Sequence, residues 1–142
     1  MKYTTKKQIV IATDAGMGVL SRLCNVLTER RINIQDIYAA AEEKDKGMIH
    51  LIVDDTDAGE QALRDAGFIP LVINVLLIDI KDSPGILGRI CSLFAHNGIN
   101  IEYVYGSENV HHHLMTLIRR MVTVMKVSDI KRAVQILEKE RI

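Results

Sequence analysis

Aromatic residues and cysteine are scarce in this 142-residue chain. Trp is absent, aromatic residues make up 4% of the sequence, and there are two Cys. Two cysteines do not suffice for the disulfide framework of a small secreted protein. The sequence also lacks an apolar run long enough for a membrane helix, and the apolar stretch after its basic start is too short for a signal peptide. We therefore expect a cytoplasmic protein without a membrane partner.

The chain also has no excess of positive or of negative charge. Lys and Arg together number 18, as do Asp and Glu, so the formal net charge is zero. Binding to nucleic acid draws on excess positive charge, and single-stranded RNA also needs aromatic side chains for stacking. The candidate central strands at 48–53 and 121–125 contain no Phe, Tyr or Trp. The sequence therefore predicts no nucleic-acid partner.

An internal repeat is the strongest feature that the chain does have. One constant offset along the sequence places Gly18 on Gly85. Self-similarity of this kind indicates two copies of one supersecondary unit, and we expect residues 1–73 and 74–142 to form one domain each. The same offset aligns Leu20 with Leu87, Arg22 with Arg89, Cys24 with Cys91, Ile32–Ile34 with Ile99–Ile101, and Tyr38 with Tyr105.

The first copy has the residue pattern of a small unit of strands and helices. An apolar run at 9–12 predicts a strand, and helical spacing of apolar residues follows it. A turn at 44–47 predicts a hairpin, and the Asp57 and Glu60 spacing predicts the start of a second helix. With a last strand at 68–73, the order is βαββαβ.

The second copy repeats this order less regularly. It predicts a strand at 75–80, a helix that Ser83 caps, a strand that begins at the Ile-Asn-Ile of 99–101, a strand at 121–127 and a final helix that Ser128 caps. No clear sixth element follows, so the last strand is expected to be missing. The sequence thus predicts an α+β fold of two ferredoxin-like βαββαβ units in tandem, with antiparallel sheets side by side and helices on one face.

The loop between the first strand and first helix of each copy is the candidate binding loop. Asp14 precedes Gly16 and Gly18 there, and Asp82 precedes Gly85. A helix N-terminus offers unpaired N–H groups to a carboxylate, and glycine allows a ligand to approach the backbone. The Asp supplies a negative charge beside them. A zwitterionic amino acid needs this combination of an anion acceptor and a cation acceptor.

The segment 82–90, Asp-Ser-Pro-Gly-Ile-Leu-Gly-Arg-Ile, and the later Asn-Gly-Ile-Asn-Ile at 97–101 resemble the signature of ACT domains, which are βαββαβ regulatory modules. The resemblance implies a non-enzymatic protein without a cofactor, which binds a free amino acid between paired domains and regulates amino-acid metabolism. In a serine-regulated member of that family, an Asn before the Pro-Gly and a second Asn contact the ligand. Asp82 and Asn100 hold those places here.

The candidate site residues follow from the two loops and the resemblance. The first copy departs from the family pattern because it lacks the Pro, and both copies have Asp where the family has Asn, so the equivalence of the two sites is open. In the second copy the candidates are Asp82, Ser83, Gly85, Ile86, Leu87 and Asn100; in the first they are Asp14, Gly16, Met17, Gly18, Val19, Leu20 and Asn33.

Simpler interpretations compete with each of these assignments. The Asp residues are common turn residues, and Asn33 and Asn100 could serve only to end a helix and begin a strand. The two Cys are expected to be small buried hydrophobes. The consecutive His111, His112 and His113 are expected to lie in a solvated loop or at a hairpin tip and to bind no metal.

A different class of function remains open, namely an assembly or regulatory subunit that binds a protein partner and no small molecule. The strand at 75–80 is apolar on both faces, and a helix layer covers only one face of a sheet. We therefore expect a homodimer or a contact with a partner, such as a metabolic enzyme or a regulator.

Overall fold

The computed structural model describes residues 1–14, 16–113 and 116–140, and it describes side chains outside the range 111–118. In this part of the chain, strands and helices follow one another in an α+β arrangement, as predicted. The strands are β1 (Lys2–Asp14), β2 (Ile34–Glu43), β3 (Lys46–Val53), β4 (Pro70–Lys81), β5 (Ile101–His113) and β6 (Thr116–Val127). The helices are α1 (Val19–Glu29), α2 (Thr56–Asp65), α3 (Ile86–His96) and α4 (Ile130–Glu140).

The chain divides into two compact units. One comprises Lys7–Ile73, and the other comprises Met1–Lys6 together with Asn74–Ile142. We call them the first and the second unit. Both β1 and β4 contribute residues to each unit, because the boundaries fall inside these two strands.

The first unit is a complete βαββαβ module with the strand order β2-β3-β1-β4. Antiparallel pairing places Ile9 opposite Leu51 and Ile11 opposite Ile49. The apolar side chains of α1 and α2 pack against these strands, with Leu23, Leu27 and Leu63 at most 1% exposed. Alternation along the strands and helical spacing along α1 therefore bury one common face, which is the ferredoxin-like arrangement that the sequence predicted.

The second unit has the strand order β1-β4-β6-β5. Leu76, Ile78 and Ile80 of β4 form its core together with Ile90 and Phe94 of α3. Further core residues are Ile99, Met125, Val127, Ala133, Ile136 and Leu137.

The N-terminal segment fills the place of the strand that the second copy was expected to lack. Lys2–Lys6 belongs to the second unit, and β1 is the neighbour of β4 in its sheet. Tyr3 of this segment packs against the core of the second unit. The first residues of the chain thus provide a strand that the sequence pattern had led us to seek after α4.

Two strand predictions were wrong in extent. The strands expected at 68–73 and 75–80 form one continuous strand, β4, because no residue between them breaks the extended backbone. The segments 108–113 and 116–120, for which no strand was predicted, belong to the long hairpin of β5 and β6, with Glu108 opposite Met121 and Asn109 opposite Arg120.

The predicted helix starts also differ from the structure in detail. Gly85, and not Ser83, is the residue that caps α3, with a φ of 89° that glycine adopts readily. Asp55 caps α2, since its Oδ1 accepts a hydrogen bond from the Ala58 N–H at 3.1 Å. Asp129 caps α4 by accepting from the Arg132 N–H at 3.0 Å. Within the described residues, no helix is both long enough and apolar enough to cross a membrane.

Candidate functional site

The two candidate loops lead into their helices with the same backbone geometry. Gly18 and Gly85 both adopt the left-handed conformation, with φ of 84° and 89°. Each glycine carbonyl accepts a bond of 2.9 Å from an arginine N–H in the following turn, Arg22 and Arg89 respectively. No described side chain caps α1 or α3. The first-turn N–H groups are therefore without a side-chain partner at both helix starts, although only the second loop contains Pro.

A small cavity lies at the first of these loops, inside the first unit. Its volume is about 210 Å³. Part of its lining, which we call its floor, consists of small residues, Ala39–Ala41 of β2 and Gly47 of β3. Asp14 is the ionisable residue of its wall. The remaining lining residues are Thr13, Gly16, Val19, Leu20, Met48 and Ile49.

A second cavity of about 540 Å³ adjoins the first one. The two cavities share Thr13, Asp14, Gly47 and Met48 as lining residues. The second cavity is the charged one, because Asp14, Glu42, Arg22 and Lys46 all line it. Ala12, Gly67, Phe68 and Ile69 complete its wall. The end of β1 thus separates a largely apolar recess from a recess with charges of both signs.

Arg22 is held in place at the second cavity by two contacts. Its guanidinium lies over the ring of Phe68, 4.2 Å from the ring centroid. Its Nη1 donates a hydrogen bond to the Ala66 carbonyl at 3.1 Å. A cation above an aromatic face is attracted by the ring quadrupole, so this contact restricts the orientation of an otherwise exposed side chain.

The structure brings some of the predicted site residues together and not others. Asp14, Gly16, Val19 and Leu20 line the first cavity. Met17, another predicted site residue of the first loop, is fully exposed. In the second loop Asp82, Ser83 and Gly85 are exposed, while Ile86 and Leu87 pack against the core of the second unit.

Asn33 and Asn100 have equivalent structural positions. The N–H of Asn33 donates to Oδ1 of Asp54 at 3.0 Å, and its carbonyl accepts from the Asp54 N–H at 3.1 Å. In the second copy, the N–H of Asn100 donates to Oγ of Ser128 at 3.0 Å, and its carbonyl accepts from the Ser128 N–H at 2.9 Å. Ser128 therefore supports the start of β5 instead of capping α4. These bonds favour the interpretation that both Asn residues begin a strand.

Arg22, Lys46 and Glu42 were not among the predicted site residues. They lie on α1 and on the hairpin of β2 and β3, outside the loop between β1 and α1 that contains the predicted site residues. The sequence contained one indication that Arg22 is important, because Arg22 aligns with Arg89 in the repeat. The contact with Phe68 was not visible, because that residue follows a different helix.

His50 is a polar core residue that the sequence analysis also missed. It is 7% exposed, and its Nδ1 lies 3.3 Å from Oε1 of the fully buried Gln8. Its ring centroid is 5.6 Å from that of Tyr38. Burial lowers the pKa of His50 below 6.5, and the nearby Glu42 opposes this shift.

The remaining His, Cys, Asp and Glu residues do not form a metal site in the described structure. The described residues hold no group of three or more His, Cys, Asp and Glu able to bind a metal ion. The side chains of His111, His112 and His113 lie outside the described part, although their backbone belongs to β5. Cys24 and Cys91 are free and half-buried, and Cys24 packs against the core of the first unit.

Comparison with known families gives a match in each half of the chain. Residues 74–141 match the ACT domain, and residues 9–74 match the AHAS small subunit-like ACT domain. This chain belongs to the ACT domain family. It carries two ACT-type domains in tandem, as the resemblance of its loops had implied, and ACT domains are regulatory modules.

Solved structures show the same fold. The chain is similar to protein BT0572 from Bacteroides thetaiotaomicron, with a TM-score of 0.82 at 24% identity, over 98% of this chain and 90% of that one. It is also similar to the ligand-free regulatory subunit of aspartate kinase from Thermus thermophilus, with a TM-score of 0.64 at 15% identity, over 98% of this chain and 96% of that subunit. A search of curated proteins gave no match.

Proposed function

We propose that this tandem ACT protein is a non-enzymatic sensor that binds a free amino acid in its first unit and thereby regulates amino-acid metabolism in the cytoplasm. The observation that carries the proposal is the pair of adjoining cavities at the end of β1, which meet at Asp14. Its partner would be a metabolic enzyme or a regulator, and we expect the protein to act as a homodimer.

In the proposed complex, Asp14 faces the ligand ammonium group. The amino-acid side chain enters the first cavity, where Val19, Leu20 and Ala39–Ala41 offer an apolar surface. Gly16 allows the ligand to approach the backbone, because it carries no Cβ. Binding of a ligand shifts the population of the protein towards the conformation that binds it better, and a partner can recognise that conformation.

The equivalent loop of the second unit is the alternative location that we propose for the site. There, the ligand carboxylate would meet the first-turn N–H groups of Ile86 and Leu87, with Asp82 beside the ammonium group. Asp82 is exposed, and its N–H donates to the Arg119 carbonyl at 3.0 Å.

The proposal is tested by the melting temperature of the protein with each of the twenty amino acids. A ligand at about 100 times its dissociation constant stabilises a protein by about 2.7 kcal/mol, which raises the melting temperature by several degrees. Asp14→Ala should remove this increase while the variant stays folded, because the carboxylate is exposed and contributes little to the core. Asp82→Ala is the matched control, since it changes the same position of the other copy.

Three outcomes of this comparison are informative. If no amino acid raises the melting temperature, the sensor proposal is wrong. If Asp82→Ala removes the effect and Asp14→Ala keeps it, the site lies in the second loop. Loss of the effect in Asp14→Ala alone supports the first unit.

A second candidate function is supported by exposed apolar residues in the first unit. Ile69, which directly precedes β4, is 81% exposed, and Leu71, the second residue of β4, is 64% exposed. Exposed apolar groups of this size favour a contact surface for a protein partner. On this alternative the chain is a regulatory or assembly subunit without a small-molecule ligand. This alternative is favoured if none of the twenty amino acids raises the melting temperature and if the protein forms a stable complex with a protein partner that Ile69→Ser weakens.

A further inference from the structure

We infer that Arg22 is the carboxylate receptor of the amino-acid site, assisted by Lys46. This inference rests on the proposed function, since it concerns how the same ligand is held. It assigns the charged second cavity to the ligand's backbone groups and leaves the apolar first cavity for its side chain.

The charges of the second cavity match a zwitterion. Arg22 and Lys46 supply two positive charges on its wall, and Asp14 and Glu42 supply two negative ones. None of these four side chains forms an ion pair within the described part of the chain. A ligand that carries one carboxylate and one ammonium group can pair with both kinds of charge at once, whereas a simple anion would face the two carboxylates as well.

Arg22 is better suited to receive the carboxylate than Lys46. A guanidinium presents donors in a fixed plane, which matches the two oxygens of a carboxylate. The stacking on Phe68 and the bond to the Ala66 carbonyl fix that plane before a ligand arrives. One described bond uses Nη1, and the guanidinium has five N–H donors in all. Lys46 is the first residue of β3, and its ammonium group adds a positive charge without the fixed plane of donors that a guanidinium has.

The geometry of the two cavities is consistent with one ligand that occupies both. Asp14 and Thr13 line both cavities, so a ligand whose ammonium faces Asp14 lies where they join. Its carboxylate can then point towards Arg22 while an apolar side chain points towards Ala39–Ala41. This arrangement distinguishes α-amino acids from amines and from amides, which lack the carboxylate.

The test compares amino acids with their α-carboxamides, in which an uncharged amide replaces the carboxylate, by isothermal titration calorimetry. The probes are L-valine, L-leucine, L-isoleucine and L-methionine, each beside its α-carboxamide, which keeps the ammonium group and the side chain. We expect the wild-type protein to bind the acids about tenfold more tightly than the carboxamides, since a hydrogen-bonded charge pair at a partly solvated site stabilises by this order. Arg22→Gln should lose most of this preference and keep only the small part that the charge of Lys46 supplies.

Arg89→Gln is the matched control variant. It removes the arginine at the equivalent position of the second copy, and it should bind all probes like the wild-type protein. A merely structural role of Arg22 predicts a different result, namely that Arg22→Gln weakens binding of acids and carboxamides by the same factor. That result would overturn the inference.

Two further measurements keep the inference testable if Arg22→Gln does not fold. Lys46→Gln changes an exposed hairpin residue and should reduce the preference for the acids without removing it. The wild-type protein alone is decisive as well, because equal binding of acids and carboxamides contradicts a carboxylate receptor. If none of the four acids binds but other amino acids raise the melting temperature, this inference fails and the proposed function stands. If no amino acid binds, both fail.

Discussion

At the scale of single residues, the environment of a side chain decided its role more than its type did. Arg22 and Arg89 hold equivalent places in the repeat, but Phe68 lies below the guanidinium of Arg22 only. Asn33 and Asn100, in contrast, make equivalent backbone bonds in both copies. The two arginines differ in their contacts because the contacts of Arg22 come from a distant part of the chain. The two asparagines have the same contacts because these come from the repeated hairpin.

His50 is expected to make the stability of the protein depend on pH. Burial lowers its pKa in the folded state, so the folded protein holds His50 neutral while the unfolded chain takes up a proton near pH 6.5. The free energy of unfolding should therefore fall as the pH drops below about 6.5, since the unfolded state then binds more protons. The stabilising contribution of the neutral side chain is present in full above that pH.

Urea unfolding at pH 7.5 and 5.5, about one unit on either side of the ordinary histidine pKa, measures this effect. The decrease in the free energy of unfolding between the two pH values should be larger for the wild-type protein than for His50→Gln. The other four histidines are present in both proteins, so the difference reports His50. Equal decreases would mean that the burial of His50 has no influence on its protonation.

At the scale of elements, the origin of the strand beside β4 was the least predictable feature. The segment Lys2–Lys6 does not show the alternation of apolar and polar residues that is typical of a strand. Among its residues, Tyr3 alone packs against the core of the second unit. A strand is held beside its neighbour by backbone hydrogen bonds, which residues of any type except Pro can donate. The pattern of the second copy could show that a strand was lacking, but not which segment would supply it.

Deletion of residues 2–6 is expected to loosen the second unit. The deletion leaves one side of β4 without its neighbour and removes the packing of Tyr3. Backbone amides of the second unit, such as those of 76–80, should exchange with solvent at least about tenfold faster, while those of β3 in the first unit should change little.

Hydrogen exchange followed by mass spectrometry reports both regions in one experiment. The control variant carries Lys2→Ser and Thr4→Ser, which change exposed side chains and keep the backbone of the strand. If deletion and control give the same exchange pattern, the N-terminal strand does not stabilise the second unit.

At the scale of the whole molecule, the duplication produced two similar backbones with different surfaces. Both helix starts use a left-handed glycine without a side-chain cap. The floor of the first cavity, Ala39–Ala41, corresponds by the repeat offset to Gly106, Ser107 and Glu108. Glu108 is engaged with Arg119, its Oε1 lying 3.5 Å from the arginine Nε. The second copy therefore lacks the apolar floor of the first.

This difference predicts one amino-acid site per chain. Titration calorimetry with L-leucine should give a stoichiometry near one per chain for the wild-type protein, because an apolar side chain gains stabilisation where it finds apolar surface. Asp82→Ala should leave this stoichiometry unchanged. A stoichiometry of two that falls to one in Asp82→Ala would show that both loops bind.

The sequence by itself determined the duplication, the fold class, most of the helices and the place of the two candidate loops. These features depend on local periodicity and on glycine positions, which each segment carries within itself. The tertiary structure alone decided that the N-terminal segment lies beside β4, that Arg22 is fixed by Phe68 and Ala66, and that the described cavities lie at the first loop. These features depend on residues that are far apart in the chain and that only folding brings into contact. They could therefore not be predicted from the repeated sequence pattern.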